Sequence, residues 1–240
     1  MKKMVFILLV LVNVGLMAEE KKEIVIATQS VPGAINRDGS GLYWDIVKMV
    51  YKPLGYSIVK KYTLHNEAAE MLRAGNADVL LGSYSNEKEF ALYPKYYFDQ
   101  DVIVAIVRDD AIEEWNGRKS LEGLKVGWIR GYSFDKYLGV QVEVNEFSNR
   151  NNGLKLLKNE RLDAYIDENN EIKSYIDKGK LDMDLLLKKT ILQLKLYPAF
   201  AKNEKGKLLS KIWDESMEKL IQTDKFRELY FDSEYTLFPY

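Results

Sequence analysis

The chain has 240 residues, 35 lysines and arginines against 36 aspartates and glutamates, one histidine and no cysteine. A formal charge of −1 without a basic block argues against nucleic acid as a partner, and the missing thiols exclude disulfides, thiol lipidation and cysteine-based metal or catalytic sites. The length exceeds what one hydrophobic core usually serves and fits two units of ~100 residues.

Met1-Lys2-Lys3, the apolar run Met4 to Met17 and Ala18, followed by Glu19-Glu20-Lys21-Lys22, read as a secretory signal peptide cleaved after Ala18. The run is shorter than the ~20 apolar residues of a membrane span and is broken by Asn13 and Gly15. Leu16 departs from the small residue favoured at its position, which keeps a retained N-terminal anchor as the alternative. Losing the signal removes two lysines and no acid, leaving 33 basic against 36 acidic residues and a formal charge of −3. The expected location is the periplasm.

"EIVIAT" (Glu23 to Thr28) is a compact β-branched strand ending in "QSVPGAINRDGSG", an irregular loop punctuated by Pro32, Gly33, Gly39 and Gly41. "LYWDIVKMVYKPLGY" places Leu42, Ile46, Met49 and Val50 at helical spacing and stops at Pro53 and Gly55, and "SIVKKYT" follows as a second strand. Asn66 is positioned to cap a helix "EAAEMLRAG" that closes on Gly75, and "ADVLLGSY" is a third strand. "DVIVAIVRDD" (Asp101 to Asp110) is a β-rich run suited to leaving the first unit.

The stretch "MLRAGNADVLLGSYSNEK" (Met71 to Lys88) is echoed 85 positions later by "LLKNERLDAYIDEN" (Leu156 to Asn169), with Asp163 standing where Asp78 stood. Two copies of helix, turn, Asp, apolar strand and polar strand-end loop suggest two similar α/β lobes with a cleft beyond the carboxyl ends of their strands. The second lobe begins with the strand Lys125 to Ile129, a glycine turn at Gly131 and a helix, and continues through "VQVEVNEF", "NGLKLLKNE", "LDAYIDE" and "NEIKSYIDKG". "ILQLKLYPAFAK" (Ile191 to Lys202) is a second extended run able to return the chain. "GKLLSKIWDESMEKLIQTDKFRELY" closes it as an amphipathic helix pair with Leu208, Leu209, Ile212, Met217, Leu220 and Ile221 on one stripe.

No nucleophile elbow, phosphate-binding loop, dinucleotide fingerprint or zinc-protease motif occurs. "DENNE" (Asp167 to Glu171) has the start of a calcium loop, but Ile172 stands where the sharp turn demands glycine. No metal and no cofactor are expected.

The order "EIVIAT", "GLYWDIVKMVYKPLGY", "MLRAGNADVLLGSYSNEKEFALYPKYYF", "LEGLKVGWIRGYSFDKYL", "RLDAYIDENNEIKSYI" and "DKFRELYF" resembles the family 3 extracellular solute-binding proteins, the polar amino-acid-binding type of the ABC importers, across essentially the whole mature chain. The resemblance implies an α/β, two-lobe Venus-flytrap fold of type II, the second lobe inserted into the first through a two-strand hinge, with a ligand closed in the cleft and no covalent chemistry. Residues 19–107 and 199–240 would form the first lobe and 108–198 the second.

Carried over residue by residue, the resemblance places Gln29 at a polar ligand contact and His65 where a ring stacks on the ligand. Their alternatives are a solvated loop amide and a structural histidine. Ser83 and Tyr84 fall on the loop that donates hydrogen bonds to a ligand carboxylate, with a tyrosine packed between lobes as the other reading. Lys88 stands where the family has an arginine gripping that carboxylate, and it offers a point charge without the two-pronged fork, with a merely solvated lysine as the other reading. In the second lobe Arg130 and Tyr132 flank the glycine turn, where Ser133 either holds an anion or caps the helix. Asp167 and Glu168 supply a carboxylate for a ligand amine, and adjacent strand residues point oppositely, so one of them faces the cleft.

The resemblance implies a monomeric binding protein that captures a small polar solute, amino-acid-like or otherwise anionic or zwitterionic, for an inner-membrane ABC permease or a sensor ectodomain. The alternatives from other classes are a dehydratase-like enzyme on the same fold and a ligand-free signalling protein.

Overall fold

The structure, a computed structural model, describes residues 22–233 and 235–240, so the expected signal segment lies outside the described residues. No helix among them is long and apolar enough to cross a membrane.

The first lobe alternates strand and helix: β1 (Glu23–Thr28), α1 (Leu42–Tyr51), β2 (Ser57–Tyr62), α2 (His65–Arg73), β3 (Val79–Tyr84) and the short β4 (Ala91–Leu92). β1 runs parallel to both β2 and β3. Side chains alternate across such a strand, so its two faces need two covers. Ile24, Ile26, Val79 and Leu81 pack beneath α1 with Trp44, Val47 and Val50, whereas Ala27 and Leu80 pack against Ala68, Ala69 and Leu72 of α2. Each large apolar side chain so buried contributes ~1.5–3 kcal/mol. Leu64, not Asn66, precedes α2, and no side chain caps that helix end.

The chain then leaves through β5 (Asp99–Arg108) into β6 (Lys125–Ile129), the four-residue α3 (Asp135–Leu138), β7 (Glu143–Phe147), α4 (Arg150–Lys158), β8 (Ala164–Glu168) and α5 (Asn169–Asp177). β6 lies parallel between β7 and β8. One face of this second unit buries Val126, Trp128, Phe134, Leu138 and Ile166, and the other buries Leu154, Leu157, Leu162, Tyr165 and Ile172. β5 residues Ile103, Ala105 and Val107 enter the first of these clusters and Val104 and Ile106 the second.

β9 (Leu186–Ala201) brings the chain back, followed by α6 (Glu204–Leu220) and α7 (Asp224–Ser233). The sheet order is β2-β1-β3-β9-β5-β8-β6-β7, with β4 paired to β9. β9 pairs antiparallel with β5 from Leu186 to Leu196 and with β3 from Leu196 to Phe200, so it spans both lobes. In the helix pair Leu209, Trp213 and Met217 face the core, whereas Leu208 of the expected stripe is exposed.

The internal repeat has a structural basis. Asp78 donates its N–H to the Val25 carbonyl and accepts the Val25 N–H on its side chain, each at 2.8 Å. Asp163 makes the same pair of bonds with Lys125, also at 2.8 Å. Each aspartate thus fastens the start of its strand to the neighbouring parallel strand.

Candidate functional site

The ends of β1, β3, β5 and β8 open into a cavity of about 170 Å³ between the lobes. Thr28, Gln29, His65, Leu81, Gly82, Tyr84, Glu87 and Asp101 line it from one side, Gly131, Tyr132, Glu168 and Glu171 from the other, and Tyr235 comes from the C-terminal segment. Gly82 sits at a register shift against β9, with φ +86°, a value that disfavours any side chain. The bulge buries Ser83 while Tyr84 remains on the cavity wall.

Glu87 is the centre of the first-lobe side. One carboxylate oxygen accepts from Ser83 Oγ at 2.8 Å and from the Tyr84 N–H at 3.0 Å. The other lies 2.9 Å from Lys88 Nζ and 3.5 Å from His65 Nε2. Burial pushes this carboxyl up, but the histidine and lysine bonds outweigh it and hold the group at about 2. Lys88 is therefore turned onto its sequence neighbour, and its backbone N–H donates to Tyr93 Oη at 3.0 Å.

Asp101 accepts from Tyr84 Oη at 2.7 Å, a bond that ties β5 to the end of β3. Partly exposed on the cavity wall, it is pushed up to about 8 by burial and then by the Glu168 charge. Glu168 caps α5, accepting from the Asn170 and Glu171 N–H groups at 2.9 and 3.0 Å. Burial raises it to about 7 despite those bonds. Aromatic rings enclose the carboxylates: Tyr235 meets Tyr43 edge-on at 5.7 Å, and Tyr84 meets Tyr137 of the other lobe edge-on at 5.6 Å.

Of the residues singled out in the sequence, Gln29, His65, Tyr84, Tyr132 and Glu168 line the cavity. Ser83 is buried behind it, and Lys88 is paired as described. Asp167 is fully buried and bonded by Arg150 at 2.8 Å, so of the two adjacent carboxylates Glu168 faces the cleft. Arg130 is 71% exposed, 4.0 Å from Glu146, away from the cavity. Ser133, at φ +51°, precedes a helix of only four residues and caps nothing, and the Gly131 N–H is already donated to Glu146 at 3.2 Å. The sequence reading did not single out Glu87, Asp101, Arg150 or Tyr235. Asp99 and Asp101, two positions apart in an apolar strand, carried a usable signal, because same-face acids in such a run need a polar purpose.

No protein-family model and no curated protein sequence matches the chain. Solved structures do. A histidine kinase sensor domain with similarity to periplasmic binding proteins superposes with a TM-score of 0.67 at 18% identity, covering 91% of this chain and 99% of that one. An ABC uptake transporter substrate-binding protein from Streptococcus pneumoniae with bound histidine gives 0.65 at 19% identity, covering 91% and 95%. The GluR0 ligand-binding core complexed with L-glutamate gives 0.63 at 14% identity, covering 91% and 99%. The chain has the two-lobed α/β fold of type II periplasmic binding proteins, as the sequence resemblance implies.

Proposed function

We propose that this protein is an exported, non-enzymatic solute receptor that closes its lobes on a small polar molecule and presents it to an inner-membrane ABC permease or a sensor partner. One observation carries the reading: the cavity is walled from both lobes, with Tyr84, Glu87 and Asp101 on one side and Tyr132, Glu168 and Glu171 on the other. A solute touching Glu87 or Asp101 on one side and Glu168 on the other stabilises the closed form over the open one. The fold shared with a histidine-bound transporter protein and with a kinase sensor domain supports both delivery routes. The sequence features before Glu19 support a periplasmic location, and the receptor acts as a monomer.

We place the hinge at Gln100 to Val102 and Gln193 to Lys195. These paired segments lie between the last first-lobe core residues, Phe98 and Leu196, and the first second-lobe ones, Ile103 and Leu192. Val104 to Val107, nearer the boundary drawn from sequence, are buried in the second-lobe cores and have little freedom to absorb a dihedral change. Small-angle scattering with and without solute released from the purified, denatured protein tests the proposal. The expected result is a smaller radius of gyration and a raised melting temperature, and no response to any released or added solute refutes it.

A further inference from the structure

We infer that the solute is an organic cation lacking a carboxylate, because Glu87 already occupies the donors that a ligand carboxylate would need. This deepens the receptor reading and rests on it. Ser83 Oγ, the Tyr84 N–H, Lys88 Nζ and His65 Nε2 all converge on the two oxygens of this one side chain. A carboxylate supplied by the protein itself thus fills the first-lobe anion position. Across the cleft the guanidinium of Arg150 is held by Asp167 at 2.8 Å and lies 3.5 Å from Glu171. The Gly131 N–H is taken by Glu146. Tyr43 and Tyr84 donate their hydroxyl protons to Asp99 and Asp101.

Beside Thr28, Gln29 and His65, the cavity wall carries the opposite chemistry. Among the described residues no donor is bonded to the second oxygen of Asp101, and each Glu168 oxygen accepts one backbone N–H and retains a lone pair. Glu171 adds a third acid at the rim. Burial disfavours the charged forms of Asp101 and Glu168, a cost that a bound cation relieves and a bound anion increases. Tyr43, Tyr84, Tyr132 and Tyr235 present ring surface suited to an ammonium or guanidinium.

The test uses pairs that differ only by a carboxylate: agmatine against L-arginine, cadaverine against L-lysine, and histamine against L-histidine, each titrated calorimetrically into the purified protein. Solute released from the protein as purified is identified by mass spectrometry in the same experiment. The expected results are at least tenfold tighter binding of the amine in the pair that fits, or a released solute that is cationic and free of carboxylate. Glu87→Gln, which keeps the shape and removes the charge, should shift the amine-to-amino-acid affinity ratio at least tenfold toward the amino acid. Glu87→Ala should shift it further. An amino acid or anion that binds wild type more tightly, or a ratio unmoved in folded Glu87→Gln, overturns the cation assignment and leaves the receptor reading standing. If the variants do not fold, the wild-type ratios and the released solute decide. Absence of binding by any probe or released solute overturns both.

Discussion

Arg150 grips Asp167 with two nitrogens, at 2.8 and 3.4 Å, and Asp167 has no solvent-accessible surface. The pair joins the first turn of α4 to the end of β8, directly behind Glu168. Burial pushes the aspartate up and the guanidinium pulls it back. Arg150→Ala strands a buried carboxylate and should cost ~3–5 kcal/mol in urea denaturation at neutral pH. The deficit should shrink as pH falls, since a protonated Asp167 no longer needs its partner. An equal deficit at low and neutral pH contradicts this account.

Ligand-free stability should decline as pH rises from about 4 to about 8. Asp101 and Glu168 have folded-state values raised to about 8 and about 7, so folding favours their protonated forms. That contribution is complete below the ordinary carboxylate range and is lost as pH climbs through the raised values, at up to ~1.4 kcal/mol per pH unit for each group. Asp101→Asn should flatten much of the slope. Denaturation of solute-free protein across the window decides the matter, and a flat wild-type profile would sink the prediction.

Glu87 has the opposite sign. Its folded value is lowered to about 2, so it stabilises the fold above the ordinary carboxylate range and loses that effect as pH falls toward 2. Lys88→Ala removes the ammonium that lies 2.9 Å from this carboxylate and should cost ~1–3 kcal/mol at neutral pH. The acid limb of the stability curve should move to higher pH. The carboxyl carbon resonance of Glu87, followed by NMR, should titrate at higher pH in the variant.

Gly206→Ala should destabilise the protein although alanine is the better helix former by about 1 kcal/mol. A Cβ there would lie 1.9 Å from the Ala201 carbonyl oxygen, where the backbone of β9 turns into α6. The turn also carries the Asn203 cap, which accepts the Gly206 N–H at 2.8 Å. Relieving the clash displaces backbone, for an expected net loss of ~1–3 kcal/mol. A melting temperature at or above that of wild type would show that the turn yields freely.

Periodicity and punctuation exposed most elements, because strands with β-branched runs and helices with apolar stripes obey local rules. The aspartates Asp78 and Asp163 were legible as a repeat because both lobes fasten parallel strands in the same way. The cavity was legible in part. Gln29, Tyr84 and Glu168 sit at strand ends, where topology alone puts them in the cleft. Lys88 read as an anion contact because spacing reports where a charge stands and not what it faces; Glu87, one residue earlier, claims it. Asp101 lies within a strand whose apolar pattern dominated, and Tyr235 reaches the cavity from the C-terminal segment, far in sequence from the carboxylates it joins and beyond any local signal.

Leu196 is registered to Tyr84 on one edge of β9 and to Asp99 on the other. A strand gripped along both edges at its turning point acts as a leaf spring and not as a swivel. Rotation of one lobe, on the proposed closure, is shared as slight bending over several peptide units. If the lobes close as proposed, the restoring force is elastic, and emptying the cleft lets the bent strands straighten.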